Sequence, residues 1–270
     1  MSLDEFLARR EQERLFCEGQ KKEKAAMIEA MHCRLAVLPS HFSLEDYIAL
    51  CEEVGTSSGS SFPRSEGHDL FRQLAVIALP RIFPDIHPVH FSADINSHAL
   101  TLVDPQGANH LPEQIHGVAT QEFLNAIAKG IPIPKEPKKR ADRIGVAKGM
   151  CTTFSERGLR QLVTTYEQFS PFAFMRGVSQ AFRHTKPGDG WYPNRLAPLG
   201  YAHGIISLPY AGTNGPRELL IDPIVAEVDW TQSYDIEVTS VPASKVPNFL
   251  RLRYSSFPDS KVSFTQKTWL

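Results

Sequence analysis

Three side chains, far apart along the chain, are of the types and in the order that nucleophilic acyl chemistry uses. Cys151 stands in Gly149-Met-Cys151-Thr-Thr-Phe-Ser-Glu156, His203 in Tyr201-Ala-His203-Gly-Ile-Ile-Ser, and Asp222 in Leu219-Leu-Ile-Asp222-Pro. His203 follows Cys151 by 52 residues and Asp222 follows His203 by 19. A free thiol titrates near about pH 8.5 and reacts as the thiolate, so a catalytic cysteine needs help to ionise at neutral pH. A helix N-terminus supplies partial positive charge and unpaired amide donors. An imidazolium alongside adds to this and becomes the acid that protonates the leaving group. A carboxylate then fixes the imidazole's tautomer and orientation. Backbone amides at the same helix start can hold a developing oxyanion.

The elements that must place these groups are legible around them. Leu159, Leu162, Val163 and Tyr166 fall at i, i+3, i+4 and i+7, which predicts a helix over Phe154 to Phe169. Positions 151, 155, 159 and 162 share one side of it, so Cys151 points with the apolar stripe, as a thiol buried for packing alone also would. Thr153-x-x-Glu156 reads as a capping box, which sets Cys151 just outside the helix. His203 to Tyr210 and Arg217 to Asp222 read as consecutive strands. If Tyr210 and Arg217 face each other across the turn, Ile205 faces Asp222 and His203 becomes its diagonal neighbour, about 7–8 Å away. A slip of one residue would put the two on opposite faces.

This order and spacing resemble the papain-like superfamily in its transglutaminase-like branch. There a Cys begins a helix, a His begins a strand some fifty to sixty residues later, and an Asp ends the next strand. Gly149-Met-Cys151, Ala202-His203-Gly204 and Leu220-Ile-Asp222-Pro223 carry the likeness, which covers about residues 145 to 230. It implies a helix packed on a mainly antiparallel sheet. It also implies a thiol-dependent hydrolase or acyltransferase, a cysteine peptidase, amidase or transglutaminase-like enzyme. Cys151 would be the nucleophile, His203 the base and Asp222 the orienting acid, with a protein or peptide substrate and no cofactor. The chain departs from the pattern in showing no clear aromatic or Gln for the oxyanion hole; Trp191 and Asn194 are the only nominees.

A different class stays open beside it, a non-catalytic binding or scaffold protein on the same α+β core. A third reading comes from His41-Phe-Ser43 and His90-Phe-Ser92, since paired His-x-Ser/Thr strands mark the two-histidine phosphoesterases. His41, however, precedes a helix. His98 and Asp104 repeat the His-to-Asp-Pro pattern upstream, but six residues of one strand span about 20 Å and keep them apart. Cys51 falls late on a helix, where the dipole disfavours a thiolate. Cys33 and His32 are successive helix positions and diverge.

The whole chain bounds these readings. It has 270 residues, 42 % hydrophobic and 22 % charged, enough for a sizeable core. Its formal charge of −1 is against a polycation that coats nucleic acid or an anionic membrane. No apolar run is long enough to span a bilayer, and Met1-Ser2-Leu3-Asp4-Glu5 has no secretory look. A cytoplasmic protein is the default expectation, with secretion as an effector left open. Four separated cysteines argue against a disulfide framework, and the ten histidines show no metal-ligand spacing. No phosphate-binding glycine loop occurs.

The domain expectation is a helical N-terminal extension over residues 1–60 and an α+β core over 61–270. Charge-dense helices run from Leu3 to Ala36, and Ser43-x-x-Asp46 opens a short one. A further helix, Asp69 to Phe83, is disturbed at Pro80. Gln121 to Lys129 reads as a helix closed by Gly130, and Pro171 to Phe182 as another. Strands are expected at His98 to Asp104, Ile236 to Val241, Phe249 to Tyr254 and Val262 to Thr265. Lys135 to Lys148, with six basic and two acidic residues, reads as a solvated linker rather than a nucleic-acid surface, since no stacking aromatic lies inside it.

Overall fold

The computed structural model describes residues 78–132, 151–181, 201–223, 233–254 and 261–267, together with scattered positions from 8 to 49 and residue 75. Side chains at 151–152, 177–181, 201–203, 233, 254 and 261–267 lie outside that description. The chain divides into two compact units, Met1–Pro84 with Arg251–Ser260, and Asp85–Leu250 with Lys261–Leu270.

In the first unit the described residues from 8 to 37 are helical and exposed. Arg14 bridges Glu11 at 2.6 Å and Glu18 at 2.7 Å, one turn to either side. Ser43 caps the next helix as its spacing predicts. The Ser43 hydroxyl accepts from the Asp46 amide at 3.0 Å and the Asp46 carboxylate accepts from the Ser43 amide at 2.9 Å. The helix containing Ala78 and Leu79, both buried, continues through Pro80 to residue 82.

The second unit is α+β. Seven antiparallel strands form one sheet: β1 (Pro88–Asp94), β2 (Leu100–Leu102), β5 (Phe174–Ala181), β6 (Tyr201–Gly212), β7 (Gly215–Asp222), β8 (Ser233–Pro242) and β9 (Lys261–Lys267). Their order is β2-β1-β8-β7-β6-β5-β9. A separate hairpin, β3 (Gln114–Ile115) and β4 (Val118–Ala119), turns through His116 and Gly117 at φ 50° and 81°. Positive φ at both loop residues matches the twist of the two strands. Two α-helices, α1 (Thr120–Gly130) and α2 (Cys151–Thr165), lie in this unit, and a third, α3 (Val246–Tyr254), begins in it and has its residues from 251 on in the first unit.

One sheet face is apolar because alternate residues project to it. Val89 and Phe91 from β1, Tyr234, Ile236 and Val238 from β8, Leu219 and Ile221 from β7, and Ile206 and Leu208 from β6 pack there. Against them lie Phe123, Leu124 and Ile127 of α1 and Phe154, Leu159 and Leu162 of α2. The opposite face carries Glu218, Leu220 and Asp222 of β7, Asp235, Glu237 and Thr239 of β8, and Ile205 and Ser207 of β6. Asp222, Glu237, Thr239 and Ser207 are nonetheless buried. There Arg176 forms a forked pair with Glu218, Nη2 lying 2.6 and 2.8 Å from the two carboxylate oxygens, while Ser207 Oγ donates to the same carboxylate at 2.6 Å.

Three segments differ from expectation. Pro171 to Phe182 contains β5 rather than a helix: Gly177 and Val178 weaken a helix, and the segment pairs on both sides, with β6 and β9. Phe249 to Tyr254 belongs to α3 rather than a strand. Val246, Phe249 and Leu250, all buried, already show the helical i, i+3, i+4 spacing. β2 is shorter than the strand expected there, because His98 at φ 54° closes a turn and Asp104 caps the 3-10 turn Pro105–His110.

Close approach is set by glycine where α1 crosses α2. A Cβ on Gly130 would stand 2.5 Å from the Arg157 carbonyl oxygen, and one on Gly158 would stand 2.9 Å from Ile127 Cγ2. Gly130→Ala is therefore expected to lower stability by about 1–3 kcal/mol, the usual cost of overpacking, instead of giving the gain of a helix-favouring alanine; urea unfolding measures it. Glu218→Ala and Arg176→Ala should each cost about 2 kcal/mol, since a charged hydrogen bond loses its partner in a largely buried place. The double variant should cost clearly less than both together, and strict additivity in the cycle would refute the pairing.

Candidate active site

α2 begins at Cys151, and its second turn is fixed to β6 by one bond. Ser155, fully buried, donates its hydroxyl to the Gly204 carbonyl at 2.6 Å. Three residues on, the Gly158 Cβ position is 3.4 Å from Ile206 Cδ1. Helix and strand therefore run in the same direction. One turn back from Ser155, about 6 Å, reaches the level of position 202. Gly204 is paired with Gly177 on β5, so two residues without Cβ atoms lie in the sheet under this part of the helix. The fold thus sets the start of α2, at Cys151, about level with the start of β6, at Tyr201 and Ala202.

The β6–β7 register is the one supposed from the sequence. Tyr210 faces Arg217 and Ile206 faces Ile221, so the same register continued one step would set Ile205 opposite Asp222 and position 203 diagonal to it. Alternation then decides the faces. Ile206 and Leu208 project toward α2, whereas Ile205, Ser207 and Asp222 belong to the far face. Asp222 is 2 % exposed and lies across the sheet from the helix that Cys151 begins. A regular pleat carries position 203 on the Asp222 face.

Asp222 has a second neighbour that its own segment does not disclose. On β8, Glu237 is its direct partner and is equally buried, and on β1, His90 faces Glu237 in turn. His90 Nε2 lies 3.6 Å from Glu237 Oε2, with His90 half-exposed. Asp222 and Glu237 both have further partners. Ser92 faces Asp235 one step along the same ladder. Burial pushes the Asp235 carboxyl above its ordinary range, and the nearby His90 charge pulls it partly back. This row was missed because β8 reads by itself as a simple alternating strand. Only its insertion between β1 and β7 brings His90, Glu237 and Asp222 into line.

No protein-family model, curated protein or solved structure matches this chain.

The remaining candidates disperse. His98 Nδ1 lies 3.1 Å from the Tyr234 hydroxyl, which donates to the Ala128 carbonyl at 3.1 Å; burial drives that phenol well above its ordinary range. Asp104 accepts from the Gln106 amide at 3.0 Å. His90-Phe-Ser92 does lie in a strand, β1, while His41 falls outside the described residues. Cys33 is exposed. Cys17, Cys51, His32, Trp191, Asn194 and the basic stretch 135–148 also lie outside the description. Among the described residues no group of three or more His, Cys, Asp or Glu is placed to hold a metal, and no helix is long and apolar enough to cross a membrane.

The raised carboxyl at Asp235 has a definite sign. Its folded form favours the protonated acid, so the stability it contributes is present below the unfolded carboxylate range and is lost as pH rises through the folded value. Asp235→Asn should therefore raise the thermal midpoint at pH 7, and that advantage should fade as pH falls through the carboxylate range; an advantage independent of pH would contradict the assignment.

Proposed function

We propose that the chain is a thiol-dependent hydrolase or acyltransferase acting on an amide or acyl bond of a protein or peptide, with Cys151 as nucleophile and His203 as base. The observation that carries this reading is the level of α2 against β6, where the buried Ser155–Gly204 bond holds the second turn of the helix near the start of the strand. The helix start offers unpaired amides and partial positive charge to a thiolate and to an oxyanion. The imidazole takes the thiol proton, the thiolate adds to the carbonyl, and the imidazolium returns the proton to the leaving amine or alcohol. Water or an amine then releases the acyl group from sulfur, with the imidazole again as base. The papain-like, transglutaminase-like arrangement belongs to this proposal, supported by the Cys151, His203, Asp222 spacing and by an α+β fold.

In the proposed form the imidazole faces α2. Gly204, the next residue, has no Cβ to oppose that turn of the chain. Asp222 then stands outside the reacting pair, bound into the ladder opposite Glu237. A second reading is favoured by one specific observation, the regular pleat that sets position 203 on the Asp222 face. On that reading Cys151 is not a nucleophile and the chain is a non-catalytic binding protein.

A thiol-directed probe at about pH 6, well below the free-thiol range, separates the two. The expected outcome is preferential labelling at Cys151 among the four cysteines, lost in His203→Ala and kept in Asp222→Asn. Equal labelling of all accessible cysteines would overturn the enzyme reading and leave the binding protein.

A further inference from the structure

The N-terminal helical segment presents an outer face whose charges are only half answered within the chain. Every described residue from Ala8 to Val37 is helical and exposed. At 3.6 residues per turn, Ala8, Leu15, Gly19, Ala26, Cys33 and Val37 fall within about 40° of one another, a seam along the segment. Leu15 and Val37 are 54 % and 78 % exposed, two of the four large apolar side chains open to solvent among the described residues. Glu11, Arg14, Glu18, Lys22 and Glu29 line one flank of the seam. Arg14 is held by Glu11 at 2.6 Å and by Glu18 at 2.7 Å. Lys22 stands one turn after Glu18 without bonding to it, and neither Lys22 nor Glu29 has an ion pair.

The order of these side chains is complementary to its own reverse. A two-fold axis crossing the segment between positions 20 and 21 sets Ala8 opposite Cys33 of a second copy and Leu15 opposite its Ala26. Gly19 then meets the partner's Lys22 stem, and the small residues beside the axis let two backbones approach closely. Such an axis returns each flank to its own side. Lys22 thereby comes within one residue of level with the partner's Glu18, and Glu29 within two of the partner's Arg14, about 3 Å along the segment. Each charge left over in one chain is answered by the other. A parallel pairing would turn this flank toward the opposite one, where the described residues Gln12, Ala30 and Arg34 offer Lys22 no carboxylate.

We propose that this face docks a second copy of the chain, the two helical segments antiparallel about an axis between positions 20 and 21. The apolar seam supplies the attraction, and the rim charges fix direction and register more than strength. The interface stands apart from Cys151 and does not rest on the thiol reading.

The test is sedimentation of the full chain over a range of concentrations, with crosslinking to read direction. The unsubstituted chain should show a monomer–dimer equilibrium that weakens with added salt. Lys22→Glu should raise the dimer Kd about tenfold, since two rim pairs become like-charge contacts. Adding Glu18→Lys should restore the Kd to within about threefold. Leu15→Asp, at an exposed position the fold tolerates, should abolish the dimer with unchanged circular dichroism. Ala8→Cys should give a disulfide to Cys33 under mild oxidation, found by mass spectrometry. Positions 8 and 33 lie about 38 Å apart along one helical segment, so that link joins two copies. A monomer at every concentration up to about 0.5 mM overturns the proposal, since any dimer would then be weaker than millimolar. A dimer indifferent to both Lys22→Glu and Leu15→Asp lies on another face and overturns it too. A Cys33-to-Cys33 link in the unsubstituted chain would mean parallel pairing and would overturn the antiparallel axis.

Discussion

The pleat of β6 is the constraint on which the rest of the molecule turns. Because neighbouring residues project to opposite faces, Ile206 and Leu208 meet α2 while Ile205 and Ser207 join the polar ladder behind. One strand thereby serves two layers, and its residues from 204 to 208 are buried in both. The helical side is closed by Phe and Leu side chains of α1 and α2. The other face keeps Asp222, Glu237, Thr239 and Ser207 from solvent as well. Buried carboxylates on adjacent strands are destabilising unless partnered, and the far face answers with Arg176 for Glu218 and with the further partners of Asp222 and Glu237. Moving any β6 residue between faces therefore disturbs a core on one side and a charge network on the other.

This bears directly on the thiol reading. Helix level and strand register are independent facts, the first set by Ser155 and Gly158, the second by the Tyr210–Arg217 and Ile206–Ile221 pairs. They agree in setting the start of α2 level with the start of β6 along the strand axis. They pull apart in the direction across it, where alternation separates Asp222 from α2. Asp222 shares a ladder with Glu237, on the face of the sheet away from α2.

Much of this architecture was legible. The i, i+3, i+4, i+7 stripe at Leu159, Leu162, Val163 and Tyr166 located α2, and the Ser43-x-x-Asp46 box located a cap that forms as written. The β6–β7 register followed from a turn and a period of two. What escaped was non-local. Phe174 to Ala181 is short and apolar enough to suit helix or strand, and its partners β6 and β9 decide the matter. Val246 to Tyr254 has helical spacing that a brief apolar run conceals. The His90–Glu237–Asp222 row depends on β8 lying between β1 and β7, an insertion that no segment of the chain announces by itself.

The paired glycine contacts between α1 and α2 have a mechanical meaning. Gly130 rests on the Arg157 carbonyl, and Gly158 rests on Ile127, so each helix carries the other's point of closest approach. Neither can slide without driving backbone into backbone. A shift of α2 along the sheet therefore has to carry α1 with it.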